Sequence, residues 1–207
     1  MKPPKPVPCA LPNRNQIDAA RRRFQEVEPR DLFYRVATEL VDLSIRKKTK
    51  LSVVEALAVL LQTWNKTYYR FRGGFSEHDF TELQRAVDTH WIEIKRFRRR
   101  LIESFSPVDE PRVGVLFTAF EQILGPVGAA KCLHLLAPRF FPLWDRAIAE
   151  KYRIWLKPGP NNGALYARFI GCVQKQYRML RDEGVTYPDL LKAIDEYNYV
   201  TVTLKRE

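Results

Sequence analysis

Cysteine is scarce in this chain, and its three positions, Cys9, Cys132 and Cys172, lie far apart. There is no CxxC or CxxH pair, which argues against a zinc finger or an iron–sulfur cluster. Histidine is as sparse: His78, His90 and His134 are too few for a multi-histidine metal centre. No metal or cofactor is therefore expected. Apolar runs fall short of the ~20 residues that span a bilayer. The opening MKPPKPVPCALP lacks the apolar centre of a signal peptide and reads as extended polyproline. These absences point to an intracellular protein (cytoplasm, nucleoid or nucleus) with reduced thiols and no membrane partner.

The chain does have apolar mass and positive charge. Hydrophobic residues make up 45% and aromatics 12% of its 207 residues, a globular composition. A formal charge of +11 and an isoelectric point near 9.7 favour a polyanionic partner. The expected organisation is a Pro-rich tail over 1–14 and one domain over 15–207, as a monomer.

Helical signals run almost throughout. A basic helix is expected over 15–28. The next carries Leu32, Phe33, Val36, Leu40 and Leu43 as a stripe facing the core. Ser52 and Glu55 spell a capping box before a helix over 53–72, apolar at first and then aromatic and basic. Ser76 caps a long helix reaching about residue 105. Its last third holds Lys95, Arg96, Arg98, Arg99 and Arg100, either a solvated face or a set of phosphate contacts. Further helices are expected over 112–124, 164–183 and 187–198. Only 199–204, YVTVTL, has strand character, and it lacks a strand to pair with. The fold expected is an all-α, compact multi-helix bundle of about eight or nine helices.

The stretch 125–152 carries most of the chemistry. Gly125 and Pro126 open a helix apolar nearly all round, with Lys131 within it. At 100° per residue, Val127, Lys131 and His134 share one face. Gly125 and Gly128 allow close backbone approach, and the free N–H groups of the first turn attract an anion. Fourteen residues after Lys131, Asp145 follows Trp144 and opens the next helix as its N-cap. A carboxylate there is held by backbone donors and by the helix dipole. It can stabilise an oxocarbenium-like sugar, while a nearby amine can attack the sugar carbon and form a Schiff base. Each residue also has a structural reading: a snorkelling or paired Lys131, a plain cap at Asp145, a core His134.

At Leu124-Gly125-Pro126-Val127-Gly128-Ala129-Ala130-Lys131 and Asp145 the chain resembles the helix-hairpin-helix DNA glycosylase superfamily, in particular proteins with the 8-oxoguanine DNA glycosylase fold. The resemblance implies a helix-hairpin-helix-like element that grips DNA phosphates and a pocket for a flipped base. It implies removal of a damaged base, 8-oxoguanine among the candidates, from duplex DNA, with or without strand-nicking lyase activity. Lys131 and Asp145 would then be catalytic. Gly125, Val127, Gly128, His134, Arg96, Arg99 and Arg100 would meet DNA, and Trp64, Asn65, Tyr68 and Trp144 would be candidates for the base pocket. Two other readings stand beside it: a non-catalytic helical DNA-binding protein that keeps the hairpin, and a helical module for an acidic protein partner.

Overall fold

A computed structural model describes residues 12–29, 31–64 and 75–204. Among these residues there are nine α-helices and no strand. They are α1 (Arg14–Val27), α2 (Asp31–Ile45), α3 (Val53–Trp64), α4 (Glu77–Thr89), α5 (Trp91–Arg98), α6 (Glu110–Leu136), α7 (Arg146–Lys151), α8 (Gly163–Asp182) and α9 (Leu190–Asn198). The all-α bundle expected from the sequence is the observed class. Asn65, Tyr68 and the side chain of Trp64 lie outside the described residues.

Local capping sets many helix starts. Asn13 and Gln16 form a capping box at α1, and Ser76 and Asp79 one at α4. At α3 the Glu55 N–H donates to Ser52 Oγ at 3.1 Å, and the Ser52 N–H donates to the Glu55 carboxylate at 2.6 Å. The single helix expected from Ser76 to about residue 105 is instead two. His90 (φ −101°, ψ 12°) breaks it, and a 3₁₀ turn, Ile102–Ser104, follows α5. The bend lets Leu83 and Val87 of α4 bury together with Ile94 and Phe97 of α5.

The apolar stripe assigned to α2 is also corrected. Tyr34, Ala37, Val41 and Ser44 face inward, while Leu32, Phe33 and Val36 are exposed. Tyr34 decides the rotation, because its hydroxyl lies 2.8 Å from Nε2 of the buried His134. The segment 199–204 is no strand. Tyr199–Thr203 continues α9 as a π-helical turn, so the β-branched residues pack laterally without pairing.

Helix α6 is the centre of the bundle and packs against α2, α3, α4, α5 and α8. Within Pro107–Leu136 an 18-residue window reaches a mean hydropathy of 1.4, and half of it is buried, as suits the central helix of a bundle. The helix is broken at Gly125, whose φ of 69° and ψ of 172° suit a residue without Cβ. Pro126 then opens the second half, where its missing N–H costs nothing. An aromatic cluster closes over α6: Phe117 stacks on Tyr166 at 4.3 Å, and Trp144 meets Phe117 edge-on at 5.5 Å.

Helices α6 and α8 cross at Gly163. A Cβ there would lie 2.5 Å from the Gly114 carbonyl oxygen and 2.8 Å from Thr118 Oγ1. A Cβ on Gly114 would meet only ordinary contacts, the nearest at 3.8 Å. Gly163→Ala is therefore expected to destabilise the fold by about 1–3 kcal/mol, whereas Gly114→Ala should be neutral or stabilising by up to ~1 kcal/mol. Urea unfolding of the two variants checks the contrast, and equal effects would contradict this crossing.

Candidate functional site

Asp145 ends a loop that the core holds by its carbonyls. His134 Nδ1 lies 2.7 Å from the Phe141 carbonyl, the Tyr166 hydroxyl donates to the Pro142 carbonyl at 2.7 Å, and Trp144 Nε1 donates to the Pro126 carbonyl at 3.0 Å. The Trp144 bond ties the residue before Asp145 to the residue after the Gly125 break. Asp145 is thereby set against the second half of α6.

The carboxylate itself is held at both oxygens. Its Oδ1 accepts from the Ile148 N–H at 2.7 Å, the cap expected from the sequence. Its Oδ2 accepts from the Thr203 hydroxyl at 3.1 Å. Thr203 belongs to the π-helical turn, so the one segment with strand character in its sequence supplies a donor to the site.

Asp145 and Lys131 line one cavity of about 110 Å³. Val127 shares the α6 wall with Lys131, as the helical face implied, and Leu143, Trp144 and Ile148 add apolar surface. The far wall was not foreseen. Phe24 and Glu28 reach in from α1, and Asp195 and Tyr199 from the C-terminal helices. Glu28 is buried and accepts from the Tyr199 hydroxyl at 2.8 Å. Lys131 thus shares its cavity with three carboxylates, of which the sequence pointed to one.

Asp195 connects the cavity to a buried ionic cluster. Lys192, 3% exposed, has Nζ 3.3 Å from Asp31, 3.7 Å from Asp195 and 3.5 Å from Glu196. The same ammonium lies 4.0 Å from the centre of the Phe24 ring. Arg21 reaches Glu196 at 3.1 Å and Asp189 at 2.8 Å. Burial pushes the Asp195 carboxyl up to about 6, although Lys192 and Lys131 pull it down, and the Asp145 charge adds to the rise. Burial also pushes Glu196 up to about 7 against the pull of Lys192 and Arg21.

Several residues expected to meet DNA are buried or have internal partners. His134 is 1% exposed, and burial lowers its pKa to about 4. Because the Phe141 carbonyl only accepts, the neutral ring carries its proton on Nδ1 and receives the Tyr34 hydroxyl at Nε2. Gly128 is buried, so no ligand backbone reaches it; Gly125 and Val127 are partly exposed. Arg100 forms a double hydrogen bond with the buried Asp109 at 2.7 and 2.8 Å, which holds that carboxyl below its ordinary range. The neighbouring Arg98 donates to the Leu136 carbonyl and to Asp42, each at 2.7 Å. Arg96 and Arg99 remain on the surface, with Arg96 4.0 Å from Glu93. Trp144, expected to stack on a base, is buried in the aromatic cluster and only borders the cavity.

Because the fold holds protons on Asp195 and Glu196 more tightly than the unfolded chain does, these two groups make stability fall as pH rises from near 4 towards 7. Lys192→Met would leave Asp31, Asp195 and Glu196 without their central cation, at a cost of about 3–5 kcal/mol near neutral pH. The loss should shrink at about pH 5, where Asp195 and Glu196 take up protons. Urea unfolding at the two pH values measures both, and equal losses would contradict this account.

No family model matches the chain, and neither a curated protein nor a solved structure matches it.

Proposed function

We propose that the protein is a DNA glycosylase-like enzyme that acts at the sugar of a damaged nucleotide in duplex DNA. The observation that carries this reading is the meeting of Lys131 and Asp145, fourteen residues apart in sequence, in one cavity. The Lys131 amine would attack the anomeric carbon after giving up its proton. The N-glycosidic bond breaks as the N–C bond forms, and its electron pair leaves with the base, which takes up a proton. The carboxylate of Asp145 faces the positive charge that develops on the sugar. Ring opening then gives a Schiff base on Lys131. Gly125-Pro126 would correspond to the hairpin, and the overall charge of +11 favours the DNA backbone.

One observation favours a second reading. At about 110 Å³ the cavity is small beside the roughly 300–1,000 Å³ of pockets that enclose drug-sized ligands. A non-catalytic DNA-binding protein with the same break in α6 needs no base pocket.

Borohydride reduction separates the two. With abasic or 8-oxoguanine duplex DNA, the wild-type protein should be trapped as a covalent adduct that Lys131→Gln abolishes. Asp145→Asn keeps a capping side chain and should lower the rate by about 10²- to 10³-fold. Base release without trapping would assign the attack to water. Neither release nor trapping on any lesion, with Asp145→Asn binding DNA as wild type does, would leave the non-catalytic reading.

A further inference from the structure

Acidic residues desert one part of the chain. Between Glu150 and Asp182 there is no aspartate or glutamate, while Lys151, Arg153, Lys157, Arg168, Lys175, Arg178 and Arg181 all fall there. The structure gives this run a surface. The chain turns at Arg153 (φ 55°), and exposure alternates from there: Ile154 is buried and Leu156 packs partly on the core, while Arg153, Trp155 and Lys157 are exposed. Trp155 is 66% exposed, a large aromatic held in water between two cations.

The segment is anchored from inside. Asn162 is fully buried, and its side-chain oxygen accepts from the Lys157 N–H at 2.7 Å. Its amide donates to the Lys157 carbonyl at 3.0 Å, and its backbone N–H donates to the buried Glu121 at 3.0 Å. A buried carboxylate and a buried amide are costly to bring out of water. Here they fix a surface turn next to Trp155. Helix α8 begins at Gly163, directly after this turn, and exposes Arg168 and Lys175 two turns apart, about 10 Å along the axis.

We infer that Arg153, Trp155 and Lys157, continued by Arg168 and Lys175, form a nucleic-acid-binding surface on which Trp155 stacks against an unpaired base and the cations follow the phosphates. An exposed aromatic flanked by cations suits a base face beside a charged backbone. An acidic protein segment would satisfy the cations and leave the indole without a planar partner. This assignment rests on the reading that the partner is nucleic acid, and it places the main contact away from Arg98 and Arg100, which internal partners hold. At most roughly 23 Å of chain separates Trp155 from Asp145, so no more than about seven base-pair steps lie between the surface and the cavity.

Fluorescence anisotropy with dye-labelled single-stranded and abasic duplex DNA, over a range of salt, tests the surface. Circular dichroism confirms that each variant is folded. Trp155→Ala should weaken binding by about 5- to 100-fold at an unchanged salt slope. The double variant Arg168→Gln/Lys175→Gln should lower the salt slope by about 2. If the wild type binds and both variants match it, the surface is wrong while the cavity reading survives. If only the charge variant weakens binding, the stacking role of Trp155 is overturned. If the wild type binds no nucleic acid but binds an acidic polypeptide, both the surface and the glycosylase reading fall. Loss of borohydride trapping with both surface effects intact would sink the cavity chemistry alone.

Discussion

A loop that runs through a protein interior must find donors for its carbonyls, and the stretch 137–145 imposes that demand on the rest of this fold. His134 serves Phe141, Tyr166 serves Pro142, and Trp144 binds back to Pro126. The consequences spread outward. A His134 that donates from Nδ1 needs a donor at Nε2, and Tyr34 supplies it. Burying Tyr34 turns α2 so that Leu32, Phe33 and Val36 face solvent, against their hydrophobicity. Burial also keeps the imidazole neutral, and the charge of Lys192 adds to the cost of protonating it. The same loop delivers Asp145 to the cavity wall with its geometry already set.

The opposite wall obeys a different constraint. Asp195 and Glu196 are drawn inside by α9, where neither is comfortable as an anion. Lys192 compensates from the same helix, supported by the face of Phe24 and by Arg21 beyond Glu196. Well-packed apolar residues often do as well or better for stability than buried ion pairs. A cluster of this kind beside a cavity, with perturbed carboxyls, is a common signature of a functional site.

What could be read from the sequence depended on distance along the chain. The cap at Asp145 was legible because its partner, Ile148, lies within the same turn. Lys131 stood out as a cation in an apolar helix, and its face toward Val127 followed from helical geometry. Glu28, Asp195 and Tyr199 were not legible, since only tertiary packing brings α1 and the C-terminal helices to Lys131. The residues 199–204 looked like a strand because valine and threonine favour one. Continuation from α9 and the bond from Thr203 to Asp145 overrode that local preference. The cluster Arg96–Arg100 suggested a solvated face or phosphate contacts, but Arg98 and Arg100 have partners 56 and 9 residues away.

Charge is unevenly distributed along this chain. From 122 to 181 only Asp145 and Glu150 are acidic, and the other carboxylates of the cavity arrive from near the two ends of the chain. A polyanion would be drawn to the exposed cations of 153–175 and repelled from the cavity. Phosphate would meet Glu28, Asp145 and Asp195 together if it entered, against Lys131 in the lining and Lys192 behind Asp195. A neutral sugar carbon meets no such barrier, and the positive charge it develops on losing its base is drawn toward the same carboxylates. On the proposed reading, the arrangement would select for the part of a nucleotide that carries no charge until it reacts.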